Sequence, residues 1–287
     1  MMKLDRLKSW IGRSETATDH ATAGPQAGLA ALLDHQSPPW SAGELAPLAH
    51  WLHFLPRVRQ SELDRDGHPR RGDFLPPTSL PCRMWAGSLV RFLAPIPLST
   101  LMERRSTITD VAEKTGRSGA LLFVKIRHAI TVNGLIALEE EQDIVYRDVS
   151  PLDPTAPADS TSPAVAPQTK CPSVATREVT LNSVQLFRYS ALTFNSHRIH
   201  YDVIYCREVE HYPGLVAQGP FIATLLLDHF LRHVSPRRVR TFRFRVVRPL
   251  FGDVPFRLGM VATDSGAELW TMDATGQETT RATVETF

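Results

Sequence analysis

The pattern of apolar and polar positions repeats twice along this chain. From residue 83, "RMWAGSLVRFLAPIPLSTLMERRSTITDVAEKTGRSGALLFVKIRHAITVNGLIALEEEQDIVYR" alternates or clusters β-branched and aromatic residues, as half-buried strands do. Within it "KTGRSG" has the composition of a hairpin turn. From residue 238, "RVRTFRFRVVRPLFGDVPFRLGMVATDSGAELWTMDATGQETTRATVETF" does the same, with "TDSG" and "DATGQ" as turns. Each strand run follows a helical stretch, "AGELAPLAHWLHFL" (42–55) in one case and "GPFIATLLLDHFLRHV" (219–234) in the other. The second stretch is apolar nearly all round, so it must be enclosed by other structure. The first is shorter and interrupted by Pro47, which marks the first copy as degenerate. Helix first and antiparallel strands after, twice, predicts an α+β duplication in which each sheet curls round a helix.

Residues 151–176, "PLDPTAPADSTSPAVAPQTKCPSVAT", separate the copies. Their Pro, Ala, Ser and Thr cannot bury enough apolar surface to fold, so they predict a poorly ordered or surface linker between a unit at 1–150 and one at 177–287. "GHPRRGDFLPPTSLPCR" (67–83) is also Pro-rich, but strand-like sequence follows at once, so it predicts a long loop. At the N-terminus, Leu4, Leu7, Trp10 and Ile11 have helical spacing with basic residues between them. That is compatible with a transit peptide, but Asp5 and Glu15 favour a short surface helix.

Composition adds exclusions. With 43% hydrophobic and 22% charged residues the chain is an ordinary globular one. A formal charge of +2 gives no support for a nucleic-acid partner. The longest apolar run, "FIATLLL", is far too short for a membrane span. Cys82, Cys171 and Cys206 form neither a disulfide framework nor paired metal spacing, which predicts a reducing cytoplasm.

The chemistry-bearing stretch is "LTFNSHRIHYD" (192–202), and "YPGLVAQGPF" leads from it into the apolar helix. His197 and His200 stand three apart, but with no further clustered ligand they make a weak metal pair, and no metal is expected. "RRVRTFRFRVVR" (237–248) holds six arginines. It suits either a strip for the phosphates of a nucleotide or a half-exposed strand with a charged outer face.

The duplicated helix-then-sheet order and this stretch resemble the MaoC-like double hot-dog hydratases and dehydratases of acyl thioesters. Their signature is an Asp, a His five residues later, and a downstream glycine opening the central helix. By that resemblance His200 is the His, Asn195 stands where the Asp is expected, and Gly219 is the glycine. "SWIGRSETATD", "DGHPRRGDFLPPTSLPCRMWAG" and "FRYSALTFNSHRIHYD" resemble one branch more specifically. That branch holds itaconyl-CoA hydratases, mesaconyl-C4-CoA hydratases and mitochondrial-type 3-hydroxyacyl-thioester dehydratases.

The resemblance implies a hydro-lyase adding water across the double bond of itaconyl-CoA or mesaconyl-C4-CoA to give citramalyl-CoA. The alternatives are a dehydratase of fatty-acid type and a non-catalytic acyl-thioester-binding protein. Coenzyme A would come as part of the substrate, with no separate cofactor, and a homodimer is one compatible assembly. Imidazole titrates near neutral pH and a carboxamide does not, which puts proton transfer on His200 and positioning on Asn195. The Gly219 N–H would face the thioester oxygen. Arg198, Tyr201 and Gln218 would contact substrate, with Arg198 first choice for a second carboxylate and Arg83 or Arg91 behind it.

Overall fold

The computed structural model describes residues 4–116, 119–148, 174–234 and 238–287. In the first half, α1 (Leu4–Lys8), β1 (Ser14–His20) and α2 (Ala23–Leu32) precede four long strands. These are β2 (Cys82–Phe92), β3 (Leu101–Gly116), β4 (Gly119–Val132) and β5 (Leu135–Arg147). The second half has β6 (Val174–Val179), α3 (Ser183–Leu192), α4 (Val203–Glu208) and α5 (Gly219–His233). The strands β7 (Val239–Val246), β8 (Phe256–Thr263), β9 (Gly266–Met272) and β10 (Glu278–Thr286) complete it. The predicted linker lies outside the described residues except at its end, where Val174–Thr176 are already strand β6.

All ten strands form one antiparallel sheet in the order β1-β3-β4-β5-β2-β7-β10-β9-β8-β6. Outward from the β2–β7 junction both halves run in the same order, so the duplication seen in the pattern is a duplication of topology. The turns "TDSG" and "DATGQ" join β8 to β9 and β9 to β10, as their composition predicts. At the junction Gly87 opposes Arg245. A Cβ on Gly87 would lie 2.4 Å from the Phe244 carbonyl oxygen, so only glycine lets the two ladders meet there.

The fifteen-residue α5 lies in the hollow of the second half, with every residue from Phe221 to Leu231 buried. Pro220 sits in its first turn, where its fixed φ and missing N–H are tolerated. The expected helix at 42–55 does not form. Only a 3-10 turn at Ala49–Leu52 exists there, entered through Leu48 at φ 67. Pro47 disfavours helical geometry in the residue before it, and the left-handed Leu48 breaks the ladder. The first half therefore keeps its sheet, loses its helix, and holds a cavity of about 790 Å³ in its place. The short N-terminal helix forms as predicted, with Leu7 and Trp10 packed on the cluster around Ile108, Val124 and Tyr146.

The loop from Asp64 to Arg70 crosses from the first half to the second. The Arg198 N–H donates to the Asp66 carbonyl at 2.9 Å, and the Ser196 hydroxyl donates to the Gly67 carbonyl at 2.5 Å. Gly67 has φ +90, and a Cβ there would lie 1.9 Å from the Ser196 carbonyl oxygen. Gly43 is comparably left-handed at φ +80 but has open space beside it. Gly43→Ala should therefore cost only the backbone strain, about 1–2 kcal/mol. Gly67→Ala should cost more, because the loop must leave the second half. Urea unfolding of both variants checks this, and equal losses would contradict the seam.

Candidate active site

The cavity opens where the first half lacks its helix. Trp51 and Phe54 from the loop that replaces the helix and Trp85 from β2 give it apolar walls. Polar groups enter it from both halves: His68, Arg83, Arg104 and Glu140 from the first, Asn195 and Ser196 from the second. Glu140 is 3% exposed and accepts hydrogen bonds from His50 Nε2 (3.1 Å), Trp51 Nε1 (3.0 Å) and Ser88 Oγ (2.6 Å). Burial works to raise its pKa, but the hydrogen bond and charge of His50, with help from His128 and Ser88, take it down to about 2. It is an ionised carboxylate with a full set of donors.

The stretch singled out in the sequence forms the loop after α3. The chain turns at Phe194 (φ 47), and the Asn195 N–H donates to the Ser190 carbonyl at 2.8 Å. The Asn195 side-chain oxygen accepts the His197 N–H at 3.0 Å. That local turn is a common use of asparagine, and it leaves the amide's two N–H donors for the cavity. A single 3-10 turn, Arg198–His200, follows. His200 is buried, and its Nδ1 lies 2.7 Å from the Val216 carbonyl oxygen. A carbonyl only accepts, so Nδ1 carries the proton and Nε2 is left as an acceptor. Burial, and then the neighbouring His197, take the His200 pKa down to about 3. The ring is neutral at physiological pH.

Two functional side chains escaped the sequence reading. Asp66 and His68 belong to the loop that crosses to the second half. His68 Nδ1 lies 3.0 Å from Asp66 Oδ2, and its backbone N–H donates to Asp66 Oδ1 at 2.9 Å. The His68 ring lies 4.1 Å from His197, which is 5.3 Å from His200, giving a row of three imidazoles. Burial raises the Asp66 pKa, but the hydrogen bonds and charge of His68 outweigh it and hold the carboxyl well below its usual range. Burial, Arg83 and His197 lower the His68 pKa against the pull of Asp66. The available signal was "DGHP" itself, an Asp-Gly turn that aims a histidine back at its own aspartate. Donor atoms of Asp66, His68 and His197 come within 4.8 Å of one another, a spacing that could hold a cation. Those of Asp66 and His68 already bond each other, so a hydrogen-bonded dyad stacked on a third ring describes the cluster.

The other predicted contacts fall elsewhere. Arg198 donates to Asp202 at 2.7 and 3.1 Å and lies over the Tyr205 ring, outside the cavity. Its four-residue spacing from Asp202 across a short turn favours that local pair over a distant carboxylate. Tyr201 is exposed and donates to the Ser196 carbonyl at 3.1 Å. Gln218 is buried as a brace, its amide donating to the Leu186 carbonyl and to Ser190 Oγ, both at 2.9 Å. None of these three lines the cavity. Gly219 does open α5, but it backs onto the Trp85 carbonyl, and Pro220 is the residue of this pair that reaches the cavity wall. Of the other arginines named, Arg83 lines the cavity and Arg91 pairs with Glu141 at 2.8 Å. In the arginine strip Phe242 and Phe244 face the core and Arg240, Arg243 and Arg245 face out. That is the half-exposed strand with a charged outer face.

Comparison with known proteins agrees with this architecture. Residues 48–252 match the family model "Hydroxyacyl-thioester dehydratase type 2". The chain is 41% identical over 278 residues to the mesaconyl-C(4)-CoA hydratase of Chloroflexus aurantiacus, covering 96% of each. It is 28% identical to the mitochondrial hydroxyacyl-thioester dehydratase type 2 of Schizosaccharomyces pombe, covering 79% of this chain and 80% of that one. Among solved structures a MaoC-like dehydratase superposes with a TM-score of 0.73 at 13% identity, covering 98% of this chain and 99% of that one. A Mycobacterium tuberculosis protein described as having a double hot-dog fold gives 0.59 at 13% identity, covering 99% of this chain and 98% of that one. The fold is thus the double hot-dog, and the chain belongs to the hydroxyacyl-thioester dehydratase type 2 family, as a hydratase or dehydratase of acyl-CoA thioesters.

Proposed function

We propose that the protein adds water, reversibly, to a short branched dicarboxylic enoyl-CoA, with mesaconyl-C4-CoA as substrate and citramalyl-CoA as product. One observation carries the reading. Arg83 reaches the cavity beside the imidazole cluster, where burial works against its charge and the Tyr146 hydroxyl and the Asp66 carboxylate are the neighbours that favour it. A buried cation bonded to a phenol rather than to a carboxylate still carries a desolvation cost, and a substrate carboxylate would offset it. Arg83 takes the role that the sequence gave first to Arg198. The match to a mesaconyl-C(4)-CoA hydratase over nearly the whole chain supports the same substrate class. Itaconyl-CoA is the runner-up. Its double bond is not conjugated with the thioester carbonyl, so the carbonyl gives its hydration less help.

Water attacks the β carbon, negative charge moves onto the thioester oxygen, and a proton ends on the α carbon. His200 presents Nε2 as an acceptor and is assigned to hold and polarise the attacking water through a hydrogen bond. The Asn195 amide positions water or thioester. The Gly219 N–H, at the positive end of α5, is assigned to the oxygen where charge develops. Coenzyme A arrives with the substrate, and these steps call for no resident metal. The scattered cysteines support a cytoplasmic setting. Among the described residues no helix is long and apolar enough to cross a membrane.

Loss of the conjugated ultraviolet band tests the activity on mesaconyl-C4-CoA and crotonyl-CoA, and chromatographic appearance of citramalyl-CoA tests it on itaconyl-CoA. Binding of all three without turnover would favour a thioester-binding protein instead. His200→Ala should lower kcat by ~100- to 10,000-fold with little change in thioester binding. Arg83→Gln should lower the ratio of kcat/KM for mesaconyl-C4-CoA over crotonyl-CoA by about 10- to 100-fold, the scale of a charge-assisted hydrogen bond. An unchanged ratio would remove Arg83 from the carboxylate. The pH profile offers a third check. The neutral His200 is the active form and its pKa is depressed, so protonation inactivates it only near pH 3. The acid side of the profile should stay level through pH 6.5, where an ordinary histidine would already have cost half the rate.

A further inference from the structure

The site has an unbalanced account of protons. Where the wider pattern places a carboxylic acid, this chain has Asn195, which neither gives nor takes a proton near neutral pH. His200 can accept a proton at Nε2, but its immediate surroundings are the Val216 carbonyl and another imidazole, His197. An imidazolium there would have no carboxylate against it. His68 is built differently. It is among the residues that line the cavity, and His200 is not. Its Nδ1 faces the ionised Asp66, so Nδ1 carries the proton and Nε2 is a free acceptor with a negative charge held 3.0 Å behind the ring.

We propose that His68, oriented by Asp66, is a second acid–base group of the active site, contributed by the first half in place of the carboxylate missing at Asn195. The inference rests on the hydratase reading above. In the hydration direction His68 Nε2 accepts one proton of the attacking water as its oxygen bonds to the β carbon. The π pair of the double bond moves onto the thioester oxygen. The enolate then collapses, and the α carbon takes that same proton from Nε2. One water is added and His68 ends neutral. Between the two transfers the imidazolium faces the Asp66 carboxylate, while His200 remains a neutral acceptor for the water.

The remaining groups around His68 fit that cycle. Arg83, from β2, and His197, from the loop after α3, both disfavour a resting positive charge on it, and Asp66 favours one. The ring therefore starts as a base and gains its charge only during the reaction. Its place depends on the left-handed Gly67 and on the two hydrogen bonds, one from the Ser196 hydroxyl and one from the Arg198 N–H, that bind this loop to the second half.

The test uses the full-length protein and whichever of mesaconyl-C4-CoA and crotonyl-CoA the wild type hydrates. His68→Gln should lower kcat by at least ~100-fold, with KM within about threefold and the melting temperature little changed. Asp66→Asn should lower kcat less, by about 10-fold, because the base remains but its counter-charge is gone. The decisive variant is the double change Asn195→Asp in His68→Gln. A carboxylate restored at 195 should recover at least tenfold of the lost kcat, which a merely structural role for His68 does not allow. His68→Gln with wild-type kcat would overturn the proposal. So would a slow His68→Gln that Asn195→Asp does not improve, or a stoichiometric metal ion in purified wild type that Asp66→Asn releases. A wild type that hydrates no enoyl thioester would instead overturn the functional reading beneath it.

Discussion

A curled sheet must have its hollow filled, and this protein has two hollows and one long helix. In the second half α5 does the filling, with Ala223, Leu226 and Phe230 wholly inaccessible. Burying a side chain of the size of Leu or Phe contributes about 1.5–3 kcal/mol, so this helix is a main source of stability for the fold. The first half has no such filler among its described residues. Its inner face is covered only in part, by the tryptophans and Phe54, and the remaining space is the cavity. The location of the site follows from that asymmetry.

An unfilled hollow sets conditions on what lines it. Polar groups there must be paired, or must face water or substrate, because an orphaned buried group costs about 1–3 kcal/mol. Glu140 meets the condition with three donors from two parts of the chain, His50 and Trp51 in the irregular loop and Ser88 on β2. His128 meets it through Ser106 (2.9 Å) and Gln142 (3.2 Å). His53 donates to the Ala49 carbonyl and accepts the Thr22 N–H, tying the irregular loop to the start of α2. These pairs hold the wall rigid without the helix. They also leave groups with capacity to spare, among them the amide of Asn195, the Nε2 atoms of His68 and His200, and Nε of Arg104.

Elements whose signal is local were legible in the sequence. β7 alternates inward phenylalanines with outward arginines, and the hairpin turns carry their usual residues. α5 declared itself by being apolar on every side. The stretch at 42–55 misled because its apolar spacing is helical while Pro47 and the left-handed Leu48 forbid the ladder. His200, Asn195 and Gly219 were named through resemblance to a family motif confined to one segment, and of the three Asn195 lines the cavity. Asp66 and His68 were not, because their partner His197 is some 130 positions away and no periodicity announces such a meeting. Arg198 failed as a candidate for a related reason: nearness to the site along the chain said nothing of Asp202, one turn further on.

Strand order alone shows that the two halves are copies, yet they no longer do the same thing. Two identical subunits pairing through the same edge would be bound by symmetry, each needing both a central helix and a binding space, since any change in one appears in the other. Joining the copies in one chain removes that bond. The first could give up its helix for room because the second kept one for strength, and a loop of the emptied copy could then reach over to residues 196–198 of the filled one. The β2–β7 ladder, closed over Gly87, holds such unlike partners in fixed register. Covalent duplication thus acts here as permission for division of labour: one copy became the vessel, the other its supporting wall.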